Sequence, residues 1–239
     1  MSTTASTTAA STTAARTQGT QPATEVAADP MRFGVGARVT VAVMSDRYVS
    51  IILGALRRAD ASGLVLETGD VSTYAGGGEN DLLRWLTDVT AAVAESGEHA
   101  SITVHLSRGC PGEARCDLPG GAGPRAVEPP SGRTIGYVGA AEWALYPLAD
   151  DVRAGVRPDH MRDIYAAIET AQGNGTFRES AHFVTRLEGD LGTILETVVR
   201  GWAGVGASVQ HVTSHVTLSI NSPSPVTRAG TGNGTAREH

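Results

Sequence analysis

The sequence predicts an α+β protein built twice over, and three observations predict it. Residues 48–111 fall on residues 160–223 without a gap, with identities that include Ala55/Ala167, Gly63/Gly175, Thr73/Thr185, Leu83/Leu195, His99/His211 and Pro111/Pro223. In each half the hydrophobic period switches between two and 3.6 in the order β-α-β-β-α-β, the split βαβ or ferredoxin-like unit. A stretch rich in Pro and Gly, Asp117–Arg133, separates the halves. A repeat this long is a small domain, so two copies make a pair and not an array. The expected fold is a tandem duplication of that unit, with antiparallel sheets and helices on one face. The expected organisation is a disordered extension at 1–30, a first unit at 31–116, a linker at 117–134, a second unit at 135–224 and a disordered tail at 225–239.

Each element has a local reason. Phe33–Val43 alternates, with Val35, Ala37, Val39, Val41 and Val43 on one face, and reads as a half-buried strand. Ser45-Asp46 offers an N-cap, and Tyr48–Ala59 carries helical spacing through Ile52, Leu53 and Leu56 until Gly63. Leu64–Glu67 and Val71–Ala75 read as short strands, and Gly76-Gly77-Gly78 as a turn. Asn80-Asp81 starts a helix whose stripe is Leu82, Leu86, Val89 and Val93. His99–Ser107 closes the unit as a strand. The second half gives strand Val138–Tyr146, helix Pro158–Gln172, strands Thr176–Glu179 and His182–Glu188, helix Leu191–Trp202 and strand Ser208–Ile220. Upstream of the first helix the alignment slips. Val35-Gly36-Ala37 meets Val138-Gly139-Ala140, and a nine-residue insertion between Leu148 and Pro158 reconciles the two.

The alternation also assigns faces. Val39, Val41, Val43, Val71, Ala75, Ile102 and Val104 are expected to line the helix-facing side. The other face of the closing strands is polar in both halves: His99, Ser101, Thr103, His105 and Ser107, then His211, Thr213, His215, Thr217 and Ser219. In a tandem pair such faces either meet solvent or pack sheet against sheet. Thr73 and Thr185 interrupt the apolar side at equivalent positions, and Glu142 is read as doing so beside Ala140, Ala144 and Tyr146. A buried hydroxyl or carboxylate needs a partner, which points to a pocket between sheet and helices.

Composition excludes several classes. The net charge of −6 argues against a nucleic-acid surface. All 19 basic residues are Arg, which removes Schiff-base lysines and the P-loop lysine. No run of about 18 apolar residues predicts a membrane span, and residues 1–30 lack an apolar signal core. Cys110 and Cys116 have no zinc spacing and read as reduced thiols of a cytoplasmic protein. His211 and His215 lie about 13 Å apart on a strand and cannot share a metal. No hydrolase, metalloprotease or Walker pattern is present.

Met44-Ser45-Asp46-Arg47-Tyr48, Val71-Ser72-Thr73, Ser107-Arg108-Gly109-Cys110-Pro111-Gly112-Glu113, Ala144-Leu145-Tyr146-Pro147-Leu148, His182, and Leu218-Ser219-Ile220-Asn221-Ser222-Pro223-Ser224 together resemble the YkoF family of thiamin- and hydroxymethylpyrimidine-binding proteins. The resemblance spans about 33–224. It implies a non-catalytic binding protein without a cofactor, usually a homodimer, with one thiamin-type site per repeat and a role in vitamin B1 precursor uptake and salvage. A membrane transporter is then a candidate partner. The expected ligand residues are Glu142, Tyr146, His182, Thr185, Asn221 and Ser222 in the second repeat, and Ser45, Tyr48, Ser72, Thr73, Gly109 and Cys110 in the first. The first repeat has Ala42-Val43-Met44 where the second has Leu145-Tyr146-Pro147, so the two sites should be unequal. Two alternatives share the chemistry less well. One is an amino-acid-sensing module of the ACT type, which has the same element order. The other is an enzyme using His99 and His211.

Overall fold

The computed structural model describes residues 29–109, 124–148 and 160–224, with only the backbone of His160. The extension up to residue 28, the tail from Pro225, both cysteines and the whole nine-residue insertion lie outside them. The elements in order are α1 (Pro30–Phe33), β1 (Gly36–Val43), α2 (Tyr48–Arg58), β2 (Leu64–Thr68), β3 (Thr73–Gly77), α3 (Glu79–Ala94) and β4 (Ala100–Arg108). The second half continues with β5 (Val138–Leu148), α4 (His160–Gly173), β6 (Phe177–Ala181), β7 (Val184–Asp190), α5 (Leu191–Val205) and β8 (His211–Ile220). This is the expected β-α-β-β-α-β order twice. Several boundaries differ from the expected ones, some of them for a clear local reason. Phe33 belongs to a helical turn capped by the Asp29 side chain. Gly76 and Gly77 continue β3 and form no turn. Val71 sits in the bend before β3, exposed and outside the core. Asp190 caps α5 through the N–H groups of Gly192 and Thr193.

All eight strands form one antiparallel sheet in the order β2-β3-β1-β4-β8-β5-β7-β6. The halves therefore meet edge to edge through β4 and β8, and of the two uses the polar faces allowed, packing of one half's sheet against the other's does not occur. Val104 pairs with Val216. These two are each other's repeat equivalents, so a local pseudo-twofold axis passes between them. Joining the edges satisfies two rows of backbone groups that each repeat alone would expose.

The ladder also corrects the alignment of the first strands. Gly36 pairs with Ser107, and Ala140 pairs with Ser219, the repeat equivalent of Ser107. Val39 pairs with Thr73 just as Trp143 pairs with Thr185. Gly36 thus corresponds to Ala140 and Val39 to Trp143, one residue off the sequence alignment. A one-residue slip turns every side chain of a strand to the other face. Ala141 and Trp143 are the buried, helix-facing residues of β5, and Glu142 faces the open side.

The two central helices carry the core. In α3 Leu82, Leu83, Trp85, Leu86, Val89 and Val93 are buried, and in α5 Leu191, Ile194, Leu195, Val198, Val199 and Trp202. Each such side chain contributes about 1.5–3 kcal/mol. The outer helices are seated loosely. Among the described residues only Ala55 of α2 is buried, and of α4 only Ala167 and Ala171. Beneath α4 the core leaves part of the sheet unfilled, and space remains there.

Candidate functional site

Two concavities of the second repeat lie against its sheet, one on each face. On the helix side, a cleft of about 330 Å³ opens between α4 and strands β5, β6 and β7. Trp143 forms its floor, Tyr165 and Met161 come from α4, and Phe183 from the β6–β7 turn. Ser180 and Thr185, cross-strand partners, supply its side-chain hydroxyls. Among the described residues neither hydroxyl has a hydrogen-bond partner. The Trp143 indole N–H donates to buried Ser214 Oγ at 2.8 Å, which fixes the ring plane. Phe183 has φ 67° and is 96% exposed, so the turn holds a bare aromatic ring at the mouth. Few polar groups among aromatic walls is the usual make-up of a small-molecule site.

The first repeat carries the same positions with other side chains. Thr73 matches Thr185, Thr68 matches Ser180, and Val39, Leu53 and Val71 stand where the second repeat has Trp143, Tyr165 and Phe183. Thr73 is 5% exposed and its hydroxyl is 3.2 Å from that of Thr68. Met44, Tyr48, Val49, Leu53 and Val71 of this repeat are exposed.

On the open face, a pocket of about 500 Å³ lies over β5, β7 and β8. Its lining includes His99, Ser101, Glu142, Arg186, Glu188, Ser219, Asn221 and Ser222. Arg186 is paired with Glu179 at 3.0 Å and Glu188 with Arg178 at 3.2 Å. Glu142 has no hydrogen bond or ion pair among the described residues.

The expected residues therefore do not form one site per repeat. Thr185 lies in the helix-side cleft, while Glu142, Asn221 and Ser222 line the open-face pocket. Glu142 pairs with Arg186 and Trp143 with Thr185, and neighbours along a strand point to opposite faces. Tyr146, paired with Thr213, is half exposed on the open face, and His182 stands exposed beside Phe183 in the turn. Asn221 takes a left-handed conformation with φ 50°, and its amide donates to the Ala94 and Glu98 carbonyls, which ties the end of β8 to the end of α3. Gly109 is its repeat equivalent, with φ 90°. A Cβ there would stand 2.0 Å from the Gln210 carbonyl oxygen, so the position is fixed by backbone crowding. Ser45 Oγ accepts from the Arg47 N–H, and Arg47 with Ser45 holds the Glu98 carboxyl below its ordinary range. Tyr48 opens α2, and Ser72 precedes Thr73. Cys110 lies outside the described residues.

His99 and His211 stand at opposite ends of the β4–β8 ladder, about ten residues or roughly 34 Å apart. They do not make one catalytic pair. Sequence reasoning missed Trp143, Tyr165 and Phe183. The misaligned first strand hid Trp143, and the repeat alignment, which sets Tyr165 and Phe183 against Leu53 and Val71, was the signal for the other two.

Among the described residues no helix is long and apolar enough to cross a membrane, and no group of His, Cys, Asp and Glu is placed to hold a metal. A model of the YKOF-related family matches residues 34–113 and 139–225. A protein of Bacillus subtilis (strain 168) named "Putative HMP/thiamine-binding protein YkoF" is 28% identical over 189 residues, which cover 79% of this chain and 91% of that protein. The two matched segments coincide with the two halves of the eight-stranded sheet, and on that agreement of sequence and architecture the chain belongs to the YKOF-related family.

Proposed function

We propose that this chain binds a thiamine-type aminopyrimidine without transforming it, in the helix-side cleft of each repeat, and more tightly in the second. The observation that carries this reading is the equivalence of Thr73 and Thr185, two hydroxyls set into the helix-facing side of the sheet under loosely seated helices. An aminopyrimidine offers a flat ring with acceptors and an exocyclic donor along one edge. Ser180 and Thr185 can meet that edge, since each hydroxyl both donates and accepts. Trp143, Tyr165 and Phe183 supply faces for the ring and for an attached cation, each contact worth about 0.5–2 kcal/mol. The name of the Bacillus relative supports the ligand class. A place in uptake and salvage of the vitamin precursor, as a cytoplasmic homodimer that serves a membrane transporter, belongs to the same reading.

Calorimetry with hydroxymethylpyrimidine and thiamine tests it. Binding should appear with both. Thr185→Val should weaken the tighter site by about five- to tenfold, the loss of one hydrogen bond. Absence of heat with either ligand, or an unchanged tighter site in Thr185→Val, would overturn the proposal.

A further inference from the structure

The floor of the second cleft is one ring held from two sides. The Trp143 N–H donates to Ser214 Oγ at 2.8 Å, and Ser214 is buried on the helix-facing side of β8. Among the described residues the indole is the one hydrogen-bond partner of that hydroxyl. The benzo edge of the ring lies against α5 at Gly201, where a Cβ would stand 2.6 Å from Cη2 and 3.0 Å from Cζ2. A hydrogen bond at the pyrrole nitrogen and close contact with α5 at the benzo edge clamp both the position and the tilt of the ring.

The first repeat shows what this arrangement replaces. Val39 occupies the position of Trp143, since each pairs with the threonine of its own repeat. Ile102 occupies that of Ser214, since Ile102 pairs with Val41 and Ser214 with Leu145. Val89 of α3 falls on Gly201 of α5 in the repeat alignment. Val39, Val89 and Ile102 are all buried core residues. The two repeats thus differ at all three positions, and the differences fit together. A buried indole needs an acceptor for its N–H, which an isoleucine cannot supply, and room beside the helix, which a valine would fill. Serine and glycine give up volume that tryptophan takes, so the packing is kept. A buried hydroxyl and a mid-helix glycine are each unfavourable alone, and the ring accounts for both.

We propose that Ser214 and Gly201 are positioning residues of the second cleft. They hold the Trp143 indole as a fixed platform for a flat, electron-poor ring, and this three-residue exchange sets the second cleft apart from the first. The role toward ligand rests on the aminopyrimidine reading above, whereas the clamp itself is a property of the free protein.

Near-ultraviolet circular dichroism of the free full chain and calorimetry with hydroxymethylpyrimidine test the two parts. The difference between the wild-type and Trp143→Phe spectra is the Trp143 signal. Ser214→Ala should diminish that signal and weaken the tighter site by about three- to tenfold, with the weaker site unchanged. Ser214→Thr keeps the hydroxyl, and Ile102 shows that a β-branched side chain fits the equivalent position, so this variant should restore both readouts. Gly201→Ala should reproduce Ser214→Ala in both. In a Trp143→Phe background Ser214→Ala should weaken binding no further, because the serine acts through the indole. An unchanged Trp143 signal in Ser214→Ala and Gly201→Ala, or a changed signal with unchanged affinity, would overturn the proposal. So would a loss that Ser214→Thr does not reverse, or equal weakening in the Trp143→Phe background. Wild-type protein that gives no heat with hydroxymethylpyrimidine would instead overturn the function proposed above, and the Trp143 signal of the free variants would still decide the clamp.

Discussion

Arg108 shows how much one residue can hold. It is 1% exposed at the end of β4 and donates to the carbonyls of Ala203 and Arg125. Glu79 lies 3.5 Å away and binds Arg125 at 2.5 Å. The rings of Phe33 and Trp202 flank the Arg108 guanidinium at 5.6 and 5.7 Å. Burial pulls that guanidinium down to about 10, and Glu79 opposes the shift, so it stays cationic at neutral pH. Glu79→Gln would leave two cations close together without their carboxylate. It should cost about 3–5 kcal/mol in urea unfolding. Gly109→Ala, next in the chain, should cost at least about 2 kcal/mol by the same measurement, from left-handed backbone strain and the Gln210 carbonyl. Arg47→Gln should raise the Glu98 pKa in an NMR titration, since the Arg47 hydrogen bond is the largest cause of its lowering. The tie between those two residues is present above the ordinary glutamate range and is lost as pH falls through the lowered pKa.

At the scale of elements, the contrast between inner and outer helices decides where ligands can go. The centres of α3 and α5 were legible, because their apolar stripes are continuous over the length of each helix. The loose seating of α2 and α4 was not. Their apolar residues look equally core-like in sequence, yet Val49, Leu53, Met161 and Tyr165 remain exposed. Because Phe183 is held at the cleft mouth by its turn, Phe183→Ala should weaken ligand binding by about two- to tenfold in calorimetry with little change in stability. Gly201→Leu acts on the same element pair from below. A Cβ at Gly201 would stand 2.6 Å from the Trp143 ring, so a larger side chain should push the cleft floor and cost about 1–3 kcal/mol in urea unfolding.

At the scale of the molecule, the β4–β8 ladder and the packing of α3 on α5 make one cooperative body of two repeats. Trp85 reports on the first half and Trp202 on the second. Trp143 also lies in the second half, so replacing either Trp85, or Trp143 and Trp202 together, by Phe should leave a single urea transition, with the remaining tryptophan signal and circular dichroism sharing one midpoint. The sequence by itself determined the duplication, the element order in each half, and the equivalence of Thr73 with Thr185, because hydrophobic period and repeat identity are local signals. Only the tertiary structure decided that the halves share one sheet, that Gly36 corresponds to Ala140, and that Glu142 and Thr185 face opposite sides. Those depend on strand register, which is set by pairing between residues far apart in the chain, and a slip of one residue exchanges the two faces.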